Sequence, residues 1–421
     1  MISDETKQRI KETARIEEVI GEVVQLKRNG SSFKGLCPFH NERTPSFHVT
    51  PSKGFFKCFG CGVSGDVITF VMKNKGLSFV DALVWLAQKY NIPVEERERT
   101  EEDIERQKRR EAAVQIMQWA TKWFETQLLE TDDSLAKSFL LNDLGMTENQ
   151  MADYHLGFWP MSENHDLFLT ALKAEGYDLQ LVQELGLITK EDDMLRDAYP
   201  GCVLFPLRNN AHNTITLLPM RLDENHTMEK MPASILYKPL SDFFGYYELD
   251  RQRLTRSHVM VRSVEELLRV RQVGLDEKEY HVVATAGQSI NDHFLRRHAH
   301  EDDRFILFYP ESDIDSLLTD LTALLAAKLI VKVVFPPSGT VLEYLRNTTA
   351  DEVKAYVEEN QMSFIDAIIQ HYDGQSAEEI LEHIVPLLNV VTDKKSMYVH
   401  KLSMKLELSK DAINSRLKAN G

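Results

Sequence analysis

Two pairs of metal-ligating side chains lie near the start of this sequence. Cys37-Pro38-Phe39-His40 is followed, after seventeen intervening residues, by Cys58-Phe59-Gly60-Cys61. Each pair places its two ligands three positions apart, so that one tight turn presents both of them to the same ion. Three thiolates and one imidazole fill the tetrahedral shell of Zn²⁺ and leave no position open for water. The sequence therefore predicts a structural zinc held by Cys37, His40, Cys58 and Cys61.

Aromatic and basic side chains alternate around the second ligand pair. In the predicted strand Phe55-Phe56-Lys57-Cys58, Phe55 and Lys57 face away from the side that carries Cys58. Exposed rings can stack on bases while cations follow the phosphates, which is how single-stranded nucleic acid is bound. The alternatives are that the rings pack in a core and that the lysines form an ordinary solvated face.

The charge of the chain is unevenly distributed. The net charge is −16, yet residues 1–90 hold 13 lysines and arginines against 9 acids, a local excess of +4. Because fields beyond about 8–10 Å are screened at physiological salt, a local basic patch can still meet phosphate.

The length of 421 residues predicts several domains, and the expected fold class is α+β. The following features lead us to expect a cytoplasmic protein. The start has no signal-peptide core, no apolar stretch is long enough to span a bilayer, and four cysteines form no disulfide framework. Four apolar strands alternate with amphipathic helices over residues 256–345, which predicts a largely parallel α/β unit. The expected parts are a zinc-binding domain at 1–94, a charged linker at 95–111, a mixed α/β part at 112–255, the parallel unit at 256–349 and a helical region at 350–421.

The zinc-binding region resembles that of bacterial DnaG-type DNA primases. The resemblance rests on CPFHNERTPSFHV, FFKCFGCGVSGDVITFVM and GLSFVDALVWLAQKYNI, and it continues more weakly in Tyr154–Phe158, Val203–Leu207 and Leu236–Lys238. In that family the zinc ribbon engages single-stranded template DNA. The resemblance therefore implies a template-contact set of Lys34, Arg43, Phe47, Phe55, Lys57 and Phe59. It also implies that residues 112–255 belong to the primase core, that residues 256–349 form a Toprim-like subdomain and that residues 350–421 form a small C-terminal helical region.

The Toprim-like region departs from the family at its catalytic acids. Arg262-Ser263 stands where the family has Glu-Gly after the first strand, and Pro310-Glu311-Ser312 stands where it has Asp-x-Asp. Those acids hold the divalent metal of nucleotidyl transfer, so we expect that metal site to be lost. Substitute acids that could hold a displaced metal are Glu266, Glu311, Asp313 and Asp315. The last two precede an apolar helix, where acids are ordinary first-turn residues.

Three functions follow from these expectations. The main hypothesis is a primase-like accessory or regulatory protein that binds single-stranded DNA through a zinc module and has lost nucleotidyl transfer. The first alternative is an active primase that makes short RNA primers with Mg²⁺ or Mn²⁺ at a rearranged site, and the second is an interaction scaffold that binds no DNA. Replication proteins are candidate partners. The family's helicase-binding domain has no counterpart in the sequence, so we expect no contact with a replicative helicase through it.

Overall fold

The computed structural model describes residues 2–39, 42, 44–60, 63–75, 77, 79–94, 100–130, 135–223, 226–239, 241–247, 257–275, 280–299, 303–346, 348–391 and 395–419. The chain divides into two compact units, Met1–Gln107 and Lys108–Gly421. The division falls within the predicted linker, whose residues 95–99 lie outside the described ranges. Within the described ranges, no helix combines the length and the apolar character that crossing a membrane requires.

In the described residues of the first unit, four short helices and a five-stranded antiparallel sheet pack around one apolar core. Its helices are α1 (Asp4–Thr13), α2 (Ile16–Gly21), α3 (Val67–Lys75) and α4 (Phe79–Lys89). Its strands are β1 (Lys27–Asn29), β2 (Ser32–Gly35), β3 (Phe47–Thr50), β4 (Phe55–Cys58) and β5 (Ser64–Gly65), and they pair in chain order. Phe47, Val49 and Phe56 are fully buried on one face of this sheet. Strict alternation therefore sends the intervening side chains to the opposite face.

The long helix α5 (Glu101–Glu130) contains the first residues of the second unit, and its apolar side chains enter that unit's core from Ala113 onward. Short helices follow: α6 (Leu135–Ser138), which continues as a π-helical turn at Phe139–Asp143, α7 (Glu148–Asp153), α8 (Leu167–Glu175) and α9 (Leu179–Glu184). Strands β6 (Gly157–Phe158), β9 (Cys202–Arg208) and β10 (Thr214–Arg221) form an antiparallel sheet, and β7 (Ile188–Glu191) pairs with β8 (Met194–Asp197). The strands β9 and β10 form a hairpin whose connection contains Asn209-Asn210.

A four-stranded parallel sheet follows, in the order β12-β11-β13-β14. Its strands are β11 (Ser257–Val261), β12 (His281–Ala284), β13 (Arg304–Phe308) and β14 (Ile330–Val334). Helices α10 (Val264–Gln272), α11 (Asp292–His298) and α12 (Ile314–Ala326) connect them. Parallel strands end at the same sheet edge, so the residues that follow β11 and β13 are brought together there.

Six helices follow β14 in the described residues. They are α13 (Val341–Arg346), α14 (Ala350–Glu359), α15 (Phe364–His371), α16 (Ala377–Val390), α17 (Lys395–Lys405) and α18 (Lys410–Ala419). The helices α15 to α18 share a core with α12, β13 and β14. The predicted α+β fold class, with an antiparallel sheet, a mixed α/β part, a parallel α/β part and a helical end, is confirmed.

Candidate functional site

Cys37 and Cys58 are both buried, and each sulfur faces a backbone amide two residues further on. The N–H of Phe39 donates to Cys37 Sγ at 3.4 Å, and the N–H of Gly60 donates to Cys58 Sγ at 3.3 Å. Such amides stabilise a thiolate in a tight turn, so the two cysteines suit a zinc ion. His40 and Cys61 lie outside the described residues, and the part of the chain that is described contains no cluster of three metal-ligating side chains.

Glu42 connects the two cysteine segments through hydrogen bonds, a role that the sequence did not predict. Its carboxylate accepts hydrogen bonds from the backbone N–H of Cys37 at 2.8 Å, from the N–H of Ser46 at 3.0 Å and from the Ser46 hydroxyl. Ser46 Oγ also lies 3.1 Å from Cys58 Sγ. Glu42 therefore links the segments of both cysteines, as groups just outside a metal shell do.

A row of polar and basic side chains crosses the exposed face of the first unit's sheet. Lys27 pairs with Lys34, Lys34 with His48, His48 with Lys57 and Lys57 with Ser64. Cross-strand partners lie on the same face, about 4.8 Å apart. Together, Lys27, Lys34, His48 and Lys57 are called the basic row below. None of its lysines forms an ion pair with another described residue.

Aromatic side chains border the basic row. Phe59 is 67% exposed, His48 meets its ring edge-on with centroids 4.9 Å apart, and Lys57 Nζ lies 5.8 Å from its centroid. Phe55 is 38% exposed and shares the face of Lys57. His48 was not predicted, although its place between the inward-facing Phe47 and Val49 on β3 was a sequence signal for this outward orientation.

Phe47 does not belong to this surface, which corrects the predicted template-contact set. Its side chain is fully buried and stacks on Phe56 with ring centroids 5.2 Å apart. Phe39 and Phe70 complete the cluster around it. A ring enclosed in this way contributes to the core and cannot stack on a base. Arg43, which the sequence also predicted, lies outside the described residues.

Arg262 lies at the edge of the parallel sheet where the family's metal-binding glutamate is expected. Its guanidinium donates from Nε to Asp313 Oδ2 at 2.8 Å, from Nη1 to Thr285 Oγ1 and the Gln288 carbonyl, and from Nη2 to Ser316 Oγ. The side chain is only 15% exposed. Four of the five N–H donors of this largely buried guanidinium are directed at protein oxygens, which fixes it in this position.

Tyr309 and Asp320 complete the surroundings of Arg262. The guanidinium lies 5.4 Å from the Tyr309 ring centroid, and the Tyr309 hydroxyl donates to Asp320 Oδ2 at 2.6 Å. Asp320 is fully buried and also accepts the N–H of Ile290 at 2.7 Å. Burial raises the pKa of Asp320, while those hydrogen bonds oppose the rise. The role of Asp320 was not predicted. The sequence signal for it was a single acidic residue on the apolar face of α12.

The Glu266 carboxylate is engaged at the start of α10, so Glu266 is not available as the metal ligand that the sequence suggested. Its carboxylate accepts the N–H groups of Arg262 at 2.8 Å and Ser263 at 3.1 Å, and Ser263 Oγ accepts the N–H of Glu266. This is a capping box at the start of α10. Burial raises the pKa of Glu266 to about 7, against the effect of these hydrogen bonds.

The remaining candidate acids are separated by different partners. Asp313 binds Arg262, and Glu311 Oε1 lies 3.8 Å from His371 Nδ1. Asp315 lies in the first turn of α12. Glu266, Glu311, Asp313 and Asp315 therefore form no metal-binding cluster, and none of three or more ligands occurs in the described ranges.

A cavity of about 690 Å³ opens beside Arg262. Met228, Met231, Tyr237, Gln288 and Asp313 are among the residues that line it. Its ionisable side chains include His226 and Glu265, which pair with each other at 2.9 Å. The volume is in the range of small-molecule sites.

Two family descriptions match separate parts of the chain. Residues 2–102 match the CHC2 zinc finger family, and residues 123–249 match the N-terminal domain of the DNA primase catalytic core.

Curated relatives extend the match to nearly the whole chain. The DNA primase of Clostridium acetobutylicum is 26% identical over 428 residues, which cover 98% of this chain and 70% of the relative. The DNA primase of Listeria innocua is 26% identical over 440 residues, which cover 99% of this chain and 69% of the relative. A Mycobacterium tuberculosis DNA primase is 31% identical over 281 residues, 65% of this chain and 43% of the relative.

Solved structures share the fold. The zinc-binding and RNA polymerase domains of Aquifex aeolicus primase superpose with a TM-score of 0.58 at 21% identity, covering 98% of this chain and 99% of that one. A DNA primase domain from Pseudomonas aeruginosa gives a TM-score of 0.61 at 18% identity, covering 73% and 99%. The similarity of architecture thus includes the parallel sheet that carries Arg262.

Proposed function

Since this chain belongs to the DnaG-type DNA primase family, we propose that it binds single-stranded DNA and does not synthesise primers. In this proposal it acts as an accessory or regulatory member of the family. The observation that carries the proposal is the position of Arg262, whose guanidinium fills the edge of the parallel sheet where the metal-binding acid is expected.

A structural zinc is the first part of the proposal. Cys37, His40, Cys58 and Cys61 would hold the ion, which the turns at Cys37 and Cys58 support. The metal would fix the strands that carry the basic row, because a sheet this small has little core of its own.

Single-stranded DNA is the proposed ligand of the exposed sheet face. Lys34, Lys57 and Arg43 would contact phosphates, joined by His48 and Lys27, while Phe55 and Phe59 would stack on bases. One solved primase catalytic domain that shares this fold is described as bound to single-stranded DNA. A template is therefore the ligand class that the surface and the family both favour.

Electrostatics supports the proposed loss of nucleotidyl transfer. The charge of the Arg262 guanidinium, taken alone, would oppose a divalent cation about 4 Å away by roughly 8 kcal/mol at an effective dielectric constant of about 20. Asp313, the acid nearest to Arg262, already pairs with it. With Glu266 committed to a capping box, these residues offer no carboxylate cluster for magnesium.

An active primase is the second candidate, and one observation favours it. The curated relatives that cover nearly the whole chain are all described as DNA primases. In such an enzyme, Glu311, Asp313 and Asp315 would hold the metal after Arg262 had moved away.

Primer synthesis separates the two candidates. The purified chain is incubated with single-stranded template, the four NTPs and either Mg²⁺ or Mn²⁺, and the products are resolved on a denaturing gel. We expect no template-dependent oligoribonucleotides. Their formation would overturn the proposal, and their loss in an Asp313→Asn, Asp315→Asn variant would assign the activity to the displaced acids.

A restored variant sharpens the test. Arg262→Glu combined with Pro310→Asp and Ser312→Asp returns the family's acids to the sheet edge. Magnesium binding measured by calorimetry should appear in this variant and be absent from the wild type. Equal binding by both proteins would contradict the electrostatic argument.

DNA binding distinguishes the proposal from the scaffold alternative. Affinity for an oligothymidine is measured as the salt concentration varies, and the slope is expected to fall by about 2 in a Lys34→Ala, Arg43→Ala, Lys57→Ala variant. Lys173, in the last turn of α8, gives a matched control that leaves the slope unchanged. Absence of binding at low salt would support the scaffold.

A further inference from the structure

The segment that follows β10 contributes residues to the lining of the cavity beside Arg262, and hydrogen bonds hold it against that strand. The N–H of Arg221 donates to the Thr227 carbonyl at 2.9 Å, and the N–H of Glu229 donates to the Pro219 carbonyl at 2.8 Å. Thr227 and Glu229 both line the cavity. This part of the lining is therefore an ordered extension of the sheet.

The loops that follow β11 and β12 contribute further lining residues, and Arg262 connects them. The Arg262 carbonyl accepts the N–H of Gly287 at 3.1 Å, and its Nη1 donates to the Gln288 carbonyl at 2.8 Å. Its Nε donates to Asp313, which follows β13. Arg262 thus holds together the part of the lining that lies at the edge of the parallel sheet, where ligand sites of α/β folds form.

Much of the lining is apolar and continuous with the core of the second unit. Leu218, Met231 and Tyr237 are buried members of that core, and Met228 and Ala286 pack against it. A cavity of about 690 Å³ with such a lining suits a small molecule that has a substantial apolar surface.

The charged side chains of the lining are largely neutralised by partners within the protein. The pairs are Arg262 with Asp313 at 2.8 Å, His226 with Glu265 at 2.9 Å, and Glu229 with Arg221 at 2.9 Å. Lys230 also lines the cavity, but it is exposed and forms no ion pair with another residue that the structure describes. The lining therefore has no excess of cations that could hold a polyanion.

This distribution of charge selects against phosphate-rich ligands. A nucleoside triphosphate would bring about four negative charges to a lining in which Lys230 alone, among the described residues, is a cation without an acid partner. Taking a charge out of water without a partner is costly, whereas an uncharged molecule loses little. The apolar surface then favours the uncharged ligand.

We propose that this cavity binds an uncharged aromatic molecule and not a nucleoside triphosphate. The thioethers of Met228 and Met231 offer favourable sulfur–aromatic contacts. The Tyr237 hydroxyl and the Gln288 side chain, which are hydrogen-bonded to each other, provide donor and acceptor groups for one polar substituent of the ligand. The inference rests on the proposed loss of nucleotidyl transfer, because primer synthesis would bring a triphosphate to this sheet edge.

Nuclear magnetic resonance of the full-length protein labelled with ¹³C-methyl methionine tests the ligand class. Benzamide, benzoate and benzamidinium are the probes, since they share one ring and differ in charge. Benzamide should shift the methyl signals of Met228 and Met231 with a dissociation constant on the order of 1–10 mM, as expected for a fragment of this size. The charged probes should bind about tenfold more weakly. Met397 and Met404, exposed on α17, are the control signals and should not move.

Substitution of Gln288 tests the polar contact. Gln288→Ala should weaken benzamide binding by about threefold to tenfold, as expected for one hydrogen bond. Gln375→Ala, at an exposed glutamine outside the cavity lining, should leave it unchanged. Absence of shifts at Met228 and Met231, or tighter binding of benzoate than of benzamide, would overturn the proposal. The probe series on the wild type decides the matter if Gln288→Ala does not fold.

Titration with ATP, with and without Mg²⁺, separates this inference from the proposed function. We expect no shift at Met228 or Met231. Shifts caused by ATP in a preparation that makes no primers would overturn the ligand class alone. Benzamide binding in a preparation that does make primers would refute the proposed function and support the ligand class.

Discussion

The antiparallel sheet of the first unit and the parallel sheet of the second both carry cations at a candidate site, but in opposite environments. Lys27, Lys34 and Lys57 lie on an exposed face and pair with no described acid. Arg262 is 15% exposed and is bound by Asp313, Thr285, Gln288 and Ser316. A cationic side chain can bind a ligand only if its charge and its N–H donors are not already paired with groups of the protein.

This difference supports the proposal that the chain binds single-stranded DNA and does not synthesise primers. An exposed row of lysines gains energy when phosphates replace its counterions. A guanidinium that already donates four hydrogen bonds has few donors left for a ligand, and its positive charge opposes a metal ion in the same place. The two sheets thus provide a pair of sites that can be tested against each other.

Removal of the zinc should have the largest effect on the comparison. Cys58→Ser is expected to unfold residues 1–107 and to abolish DNA binding, because structural zinc contributes about 10–16 kcal/mol in small domains. The second unit should remain folded. Zinc content and two-step thermal unfolding followed by circular dichroism measure both effects. Cys202→Ala, in the core of the second unit, should keep the full zinc content, and zinc retained by Cys58→Ser would contradict the assigned ligand set.

Loss of Arg262 should have the next largest effect. Arg262→Ala leaves Asp313 and the buried Asp320 without their cation, and we expect a loss of about 3–5 kcal/mol in the free energy of unfolding. The double variant Arg262→Ala, Asp313→Asn should recover part of that loss in urea denaturation. If the changes in unfolding free energy caused by the two substitutions simply add, the ion pair between Arg262 and Asp313 does not stabilise this edge of the sheet.

Glu266 should give the parallel sheet a distinct pH dependence. Burial raises its pKa from 4.5 to about 7, so its contribution to stability is complete below pH 4.5 and is lost as the pH rises through about 7. The full difference amounts to about 3 kcal/mol. Glu266→Gln should therefore match the wild type near pH 5 and exceed its stability near pH 8, measured by urea denaturation.

A second capping box provides the control for that prediction. Glu379 occupies the same position in the capping box of α16 but is exposed, and hydrogen bonds from Ser376 lower its pKa. Glu379→Gln should not gain stability with rising pH. Equal behaviour of the two variants would mean that the burial of Glu266 does not govern its titration.

The smallest expected effect concerns single aromatic rings. Phe59→Ala should weaken binding of single-stranded DNA by about 1–3 kcal/mol, with little change in stability, because its exposed ring offers a stacking surface. Phe47→Ala should do the reverse and destabilise the first unit by about 3–5 kcal/mol. Fluorescence anisotropy and thermal unfolding separate the two. If Phe47→Ala weakened DNA binding as much as Phe59→Ala and left the stability unchanged, Phe47 would belong to the template-contact set.

Motifs and periodicity predicted most of the architecture. The four apolar runs at 258–261, 281–284, 305–309 and 331–335 correspond to β11 to β14 with shifts of a residue or so. Such runs are recognisable because buried parallel strands are apolar on both faces. The alternation in β4 likewise placed Phe55 and Lys57 on the exposed face. The spacing of Cys37, His40, Cys58 and Cys61 predicted a zinc site, and the assignment of these four ligands stays a prediction.

The roles of individual charged and aromatic residues were harder to predict. Phe47 and Phe59 are the same residue type in the same small sheet, and only the packing of Phe39, Phe56 and Phe70 makes the first a core residue. Glu266 is a recognisable capping-box residue only once Ser263 is known to begin a helix. Local spacing does not report which long-range partners a side chain will meet.

By itself, the sequence determined the resemblance to DnaG-type primases and the alternation of strands and helices, and it led us to expect Arg262, Pro310 and Ser312 in place of metal-binding acids. These properties reside in residue type and short-range spacing. Only the tertiary structure decided that Arg262 is tied to Asp313, fifty-one positions away, and that His258 meets His281 across the sheet. Both contacts depend on how strands distant in sequence align, since hydrogen bonds and ion pairs form between neighbours in space.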